Sequence, residues 1–349
     1  MFMNPYSLIL WLRHKCYDWR ICKSVQLDIP TLSIGNITVG GTGKTPHTEL
    51  ILRLFSQEIP IAVLSRGYKR TSKGFRYVYP TDSVLDVGDE PLQIKRKFPS
   101  VVVAVDKNRI AGIKRIEKEF PQIKLIVLDD AFQYRRLKPT YSILLSDYHR
   151  PYTTDSLLPF GRLRDLPSQA KRANMIIVTK SPPAISSTAR ENQCQLLKPK
   201  STQLLLFSSY TYGAPLPLFP EAIPPAALPP QSPFIALTAI AQPNPFLDHI
   251  NKSGLLLKHL NFPDHHHFVQ KDVTLINEAV AQNPHTPIYT TEKDAMRLLE
   301  ATHLSMQAKA ALYYIPLQVD LCTNDEENQF VEIVKKISAL PPQLPHPLQ

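Results

Sequence analysis

The stretch Thr38-Val-Gly-Gly-Thr-Gly-Lys-Thr45 limits what this chain can fold into more than any other feature. It follows an apolar run, Thr31-Leu-Ser-Ile-Gly35, and precedes a helical pattern reaching about Phe55. In a loop of this kind glycines let backbone N–H groups close on phosphate oxygens. A lysine adds charge at the β and γ phosphates, and a hydroxyl can ligate magnesium. Thr38, Val39, Gly40, Gly41, Thr42, Gly43, Lys44 and Thr45 are therefore the expected nucleotide cradle, with Lys44 also acting on the transferred phosphoryl group. The strict pattern begins with glycine, and Thr38 stands there instead; Gly40, Gly41, Gly43, Lys44 and Thr45 keep what the chemistry needs. A strand leading into such a loop and a helix leading out of it belong to an α/β fold.

The rest of the first half agrees. Ile61 to Ser65, Ser100 to Val105, Lys124 to Asp129, Tyr141 to Leu145 and Asn174 to Thr179 are short continuous apolar runs, as buried parallel strands require. A helical stretch at Asn108 to Phe120 lies between two of them. Strands alternating with helices predict a P-loop NTPase-like, mostly parallel sheet with helices on both faces. Residues 212–233 are crowded with proline, which is excluded from helix interiors and central strands, and read as an inter-domain connection. The expected organisation is an N-terminal segment at 1–24, a P-loop domain at 25–211, a linker at 212–233 and a smaller α/β unit at 234–349. In that unit Phe234 to Thr238 and Pro287 to Thr291 read as strands, with helices near Pro245 to Ser253 and Glu326 to Ala339. The proline-rich end from Leu340 to Gln349 is expected to fray.

A formal charge of +10 over 349 residues favours anionic partners, though charge alone cannot choose between nucleotides, nucleic acid, acidic lipid and phosphorylated substrates. Four cysteines without a C-x-x-C pair argue against zinc or a disulfide scaffold and fit a reducing compartment. No segment reaches the ~20 apolar residues that span a bilayer. Tyr6 to Leu12 is nevertheless apolar, and Arg13, Lys15, Arg20 and Lys23 follow it with Tyr17 and Trp19 interleaved. A signal peptide has the reverse order. The pattern suits a helix lying in a membrane interface, or equally one packed on the domain by its apolar face.

A P-loop needs an acidic residue at the end of a neighbouring strand to organise magnesium. Leu125-Ile-Val-Leu-Asp-Asp130 supplies Asp129 and Asp130. Guanine-specific enzymes carry an Asp in a strand-end N/T-K-x-D; the comparable Thr179-Lys180-Ser181-Pro182 has proline there. ATP with Mg2+ is the expected cofactor pair.

Beyond the loop, an ordered set of motifs resembles the tetraacyldisaccharide 4'-kinases of lipid A synthesis. Gly35 to Pro46, Leu64-Ser-Arg-Gly-Tyr68, Val87-Gly-Asp-Glu-Pro91, Asp129-Asp-Ala-Phe-Gln133, Leu158 to Arg164, Asp264-His-His266 and Thr291-Glu-Lys-Asp294 occur in the family's order from about Leu32 to Leu298. The resemblance implies transfer of the ATP γ-phosphate to the 4'-hydroxyl of a tetraacylated glucosamine disaccharide 1-phosphate. It also implies a monotopic enzyme on the cytoplasmic face of the bacterial inner membrane, with the N-terminal helix touching lipid, no nucleic-acid partner and a monomeric state. Carried over by position, Asp89 is the carboxylate that activates the sugar hydroxyl, and His265, with His266 as the alternative, cooperates with it. Glu90 joins Thr45, Asp129 and Asp130 as an expected magnesium ligand. Arg66, Arg109, Arg162 and Arg164 are expected near nucleotide or substrate phosphate; solvated surface charge is the generic alternative. Two positions depart from the family pattern. Tyr134 stands where a histidine is usual, with Ala131 replacing a glycine, and Asp165 replaces a glutamate. Two other readings remain open: a P-loop ATPase acting on a protein partner at the membrane, which would have no use for a base at Asp89, and a basic nucleic-acid-binding protein, whose motifs are not evident.

Overall fold

The computed structural model describes residues 5–223 and 232–341. A helix, α1 (Pro5–Asp18), precedes the first sheet. That sheet is built from β1 (Thr31–Gly35), β2 (Ile61–Ser65), β3 (Arg76–Tyr77), β4 (Val102–Val105), β5 (Leu125–Asp129), β6 (Tyr141–Asp147), β7 (Met175–Thr179) and β8 (Leu204–Tyr212). Its connections carry α2 (Lys44–Phe55), α3 (Val84–Val87), α4 (Asp89–Lys97), α5 (Arg109–Glu119) and α6 (Ser187–Leu197). A second sheet follows from β9 (Leu216–Pro217), β10 (Ser232–Thr238), β11 (Gly254–Asn261), β12 (Ile288–Thr291) and β13 (Leu312–Ile315), with α7 (Asn244–Ile250), α8 (Gln270–Gln282), α9 (Glu292–Leu298) and α10 (Met306–Ala311). The chain then returns through β14 (Leu317–Leu321) and α11 (Asn324–Ser338).

The large sheet has the order β14-β8-β7-β6-β1-β5-β2-β4-β3, antiparallel only at its two ends. Strands β1, β2, β5 and β7 are buried at every position, because helices cover both faces. Alternate residues serve opposite layers. Val63 and Ile34 pack with Leu52 and Phe55 of α2, whereas Ala62 and Leu64 pack with Ile113 and Ile116 of α5. Asn108 caps α5 by accepting the Ala111 N–H. The strand order turns around β1, which lies between β5 and β6. Crevices at such switch points bind ligands, and the glycine-rich loop leaves β1 there.

One expected boundary is corrected. The expected second unit ran from 234 to the C-terminus, yet β14 pairs with β8 and completes the large sheet. Helix α11 follows it back, with Phe330 against Phe55 and Glu326 bonded to Arg190 at 2.8 Å. The Pro-rich stretch also does more than connect, since β9 forms an edge of the small sheet β11-β10-β12-β13-β9. Residues 224–231 of that stretch, and the terminal segment beyond 341, lie outside the described residues. Among the described residues no helix is long and apolar enough to cross a membrane.

Candidate active site

The loop after β1 opens onto a cleft of about 1050 Å³ walled by both sheets' loops. Its glycines divide the labour. A Cβ on Gly40 or Gly41 would meet nothing within 4 Å, so these backbones face open space that a phosphate can fill. Gly43 has φ 86°, and a Cβ there would lie 1.9 Å from the Tyr210 hydroxyl. His47, one turn into α2, donates from Nδ1 to the Gly43 carbonyl at 2.7 Å and accepts the Ser208 hydroxyl on Nε2 at 2.9 Å. Burial pushes this imidazole down to about 4, so it stays neutral in that tautomer. On the other side of the loop Asn36 Nδ2 donates to Thr42 Oγ1 at 2.5 Å.

The two acidic candidates at the end of β5 have different surroundings. Asp130 receives Arg164 on both oxygens and has Lys44 Nζ 3.8 Å away. Burial opposes its charge, but Lys44 and Arg164 hold the carboxyl below the ordinary range. Asp129 is buried and bonded to Ser65 at 3.2 Å through one oxygen, while Oδ1 has no partner. Burial and the neighbouring Asp130 charge raise it. An orphaned buried carboxylate oxygen in the cleft that Thr45 also lines is the environment a divalent cation would relieve. The residues therefore fit magnesium, which Thr45 and Asp129 would hold, whereas Asp130 is engaged by cations of the chain itself.

Across the cleft, Asp89 begins α4 and is almost fully buried. His265 Nδ1 donates to Asp89 Oδ2 at 2.8 Å, and its Nε2 accepts from Lys293 Nζ at 3.3 Å. Of this pair His265 lines the cleft and Asp89 lies behind it. Lys293 also touches Glu90 at 2.9 Å and Asp89 at 3.7 Å, and Arg297 Nη1 lies 3.7 Å from Asp89. Burial works against the Asp89 charge, but hydrogen bonds from Glu90 and His265 and the Lys293 charge hold it well below the carboxylate range. Burial and the Asp89 charge push Glu90 up to about 8. Asp89, Glu90 and His265 do form a cluster of metal-ligating types. The ammonium of Lys293 sits against all three. The magnesium role expected of Glu90 would place an ion in this cluster, where Lys293 already supplies a cation.

Of the expected arginines, Arg66, Arg109 and Arg164 line the cleft. Arg162 is exposed and is not part of the wall; its carbonyl accepts the Val39 N–H at 2.7 Å. His266 turns away and donates to Asp272 at 2.8 Å. The two departures from the family pattern find local partners. Arg109 lies over the Tyr134 ring at 5.7 Å, and Asp165 accepts from His14 of α1 at 2.6 Å. Sequence reasoning left Lys293 and Arg297 without a role and missed Asn36 and Tyr68, whose ring packs edge-on against His265. The Thr291-Glu-Lys-Asp294 motif was the available signal. Its meaning lay in α9 delivering Lys293 to Asp89 from 204 residues away in the chain (293 minus 89).

A phosphate loop at a sheet switch point, a strand-end acidic pair and a carboxylate–imidazole pair facing it across a cleft define a P-loop kinase. Residues 2–338 match the family described as tetraacyldisaccharide-1-P 4'-kinase (LpxK). The chain is 41% identical over 347 residues to the tetraacyldisaccharide 4'-kinase of Parabacteroides distasonis, covering 96% of this chain and 93% of that one. It is 40% identical over 335 residues to that of Bacteroides thetaiotaomicron, covering 92% and 88%. The crystal structure of the "apo" form of LpxK from Aquifex aeolicus in complex with ATP has the same fold: TM-score 0.72, 24% identity, 95% of this chain and 96% of that one. The protein belongs to the tetraacyldisaccharide 4'-kinase family.

Proposed function

We infer that this protein transfers the γ-phosphate of ATP to the 4'-hydroxyl of a tetraacylated glucosamine disaccharide 1-phosphate, giving the 1,4'-bisphosphate precursor of lipid A. The observation that carries the reading is one cleft with the phosphate loop on one wall and the His265–Asp89 pair on the other. A protein-directed ATPase has no use for that second wall.

In this reading the loop amides from Gly40 to Thr45 and the Lys44 ammonium hold the β- and γ-phosphates. Thr45 and Asp129 would hold magnesium, which when bound would supply charge neutralisation there. Arg109 and Arg164 add positive charge on the phosphate side, and Arg66 lines the same cleft. The 4'-hydroxyl proton passes to the His265–Asp89 pair as the phosphoryl group leaves ADP. The cationic ring of Lys293 and Arg297 keeps Asp89 ionised for that task. Most of the acceleration comes from alignment and charge in the cleft, with the proton acceptor contributing about 10²–10⁴-fold.

The acceptor carries acyl chains, so the enzyme works at a membrane surface. Helix α1 turns Leu8, Ile9, Trp11 and Leu12 outward while burying Leu10 and His14. Lys15 lies over the Trp11 and Trp19 rings at 5.8 and 6.0 Å, a basic and aromatic edge suited to headgroups. We assign this face to lipid, on the cytoplasmic side of the inner membrane, with the enzyme acting as a monomer. The test is labelled ATP with purified disaccharide 1-phosphate in detergent, alongside flotation of the full chain with vesicles. Label in the glycolipid and loss of flotation on deleting residues 1–23 are expected. ATP hydrolysis without glycolipid labelling would overturn the kinase reading, and unchanged flotation would move the anchor elsewhere.

A further inference from the structure

A lipid anchor needs an apolar face turned outward and a few apolar side chains turned in. Helix α1 has both, but its inner face also carries a buried polar network that anchoring does not require. His14 is buried, and its two ring nitrogens have different partners. Nδ1 accepts from Arg135 at 3.1 Å, which leaves Nε2 to donate to Asp165 at 2.6 Å. Arg135 fixes the same helix twice more, at the His14 carbonyl (3.1 Å) and at Asp18 (3.0 Å). Asp165 is wholly buried and takes the Leu166 N–H as well. Burying a carboxylate and an imidazole costs more than burying two apolar side chains of similar size. The return on such a pair is a defined orientation.

That orientation leads into the nucleotide half of the cleft. The residue before Asp165 is Arg164, which grips Asp130 and donates to Asn36 Oδ1 at 2.5 Å. Asn36 in turn holds Thr42 of the phosphate loop. A second route runs in parallel. Tyr6 Oη donates to the Arg164 carbonyl at 3.0 Å, and Arg13 donates to the Gln133 carbonyl at 2.6 Å. Gln133 Nε2 donates to the Asn36 carbonyl at 2.7 Å. Both routes from α1 converge on Asn36, directly beneath the loop.

We propose that His14 is a positioning residue for phosphoryl transfer: through Asp165 it seats helix α1 so that Arg164 is aimed at Asp130 and the phosphate loop is held in its binding form. Helix α1 thus has two faces with two duties, and the inner one acts on ATP rather than on lipid. The proposal rests on the kinase reading above, and the shorter Asp165 is the carboxylate that leaves room for the imidazole.

The test uses the full chain in detergent with two polar variants. H14Q carries an amide nitrogen to where Nε2 sits, whereas H14N places its amide near Nδ1 and cannot reach Asp165. ATP affinity without glycolipid, turnover with it, melting temperature and flotation on phosphatidylethanolamine–phosphatidylglycerol vesicles are compared. Loss of a buried, charge-assisted bond predicts that H14N weakens ATP binding and slows turnover, each by about tenfold, while H14Q stays within about threefold of the parent. Flotation should be unchanged in both, because the outer face is intact. In an R164A background H14N should have no more than about a twofold further effect on ATP affinity, since the path through Arg164 is already cut. Equal ATP affinity and turnover in H14N and the parent would overturn the proposal. So would the same factor for H14N with and without Arg164, because a loosened helix would then act by another path. Absence of glycolipid labelling by the parent protein would instead refute the kinase reading, and the ATP-affinity comparison would still decide the role of His14.

Discussion

Gly43→Ala adds one methyl group at the tightest point of the phosphate loop. The backbone there has φ 86°, a region that costs a non-glycine residue about 1–2 kcal/mol. The new Cβ would also stand 1.9 Å from Tyr210 Oη and 3.0 Å from Cζ, so ring or loop must shift. Overpacking of this kind costs about 1–3 kcal/mol, for a total of roughly 2–5 kcal/mol. A loop that keeps its shape shows the cost as a lower melting temperature. A loop that relaxes shows it as weaker ATP binding, where about 2 kcal/mol is already close to 30-fold. Calorimetric titration with ATP and thermal melts, taken together, measure both. Repeating the substitution in a Tyr210→Ala background separates the two causes. There the clash is gone and only the left-handed backbone remains, so the penalty for Gly43→Ala should shrink to about 1–2 kcal/mol. An unchanged melting temperature with unchanged ATP affinity would refute the account of this glycine. A penalty that vanishes entirely without Tyr210 would refute the strain half of it.

Three further outcomes follow from the same site. Burial pushes Glu49, which bonds Gln93 and Lys97 beneath the cleft, up to about 7. The folded state therefore holds more protons than the unfolded chain between pH 4.5 and 7. That cost to stability is absent below 4.5 and complete above about 7, amounting to about 3 kcal/mol. Glu49→Gln should flatten the fall of melting temperature across this window, and an unaltered slope would place the titration elsewhere. Asp129→Asn should raise the magnesium concentration for half-maximal turnover by at least the roughly 10–100-fold that outer-shell changes cost, and Asp130→Asn by less; the reverse order would exchange their roles. Lys293→Met removes the cation that helps keep Asp89 ionised, so the acidic limb of the kcat/KM profile should move to higher pH. A fall in rate without any movement of that limb would reduce Lys293 to a structural residue.

The nucleotide half of the site was largely legible in the sequence because it is local. The loop, its preceding strand and its following helix are contiguous, and the physics of phosphate binding is written in residue types at fixed spacing. Asp129 and Asp130 could be named but not told apart. Their difference is made by Arg164 and Ser65, which reach them from other segments. The acceptor half depends on pairings over long distances. Asp89 and Glu90 read as a turn until His265 and Lys293 close over them from the second sheet. The domain boundary failed for a similar reason. An antiparallel edge strand such as β14 looks like any other short apolar run, and its partner β8 ends at the start of the proline-rich stretch, where a break was expected. Arg162 shows what a motif match leaves open, since the fold leaves its side chain exposed and outside the cleft wall that Arg66, Arg109 and Arg164 line.

The central claim is that the two walls of one cleft serve a single transfer, nucleotide on one side and sugar hydroxyl on the other. A single-turnover reaction with excess enzyme, γ-labelled ATP and disaccharide 1-phosphate tests it, with the product site assigned by phosphorus NMR. The account predicts phosphate on the 4'-oxygen for the parent protein. It also predicts that Asp89→Asn binds ATP as the parent does yet forms the 4'-phosphate about 10²–10⁴-fold more slowly. Phosphate at another hydroxyl, or an Asp89→Asn variant that transfers at the parental rate, would contradict it.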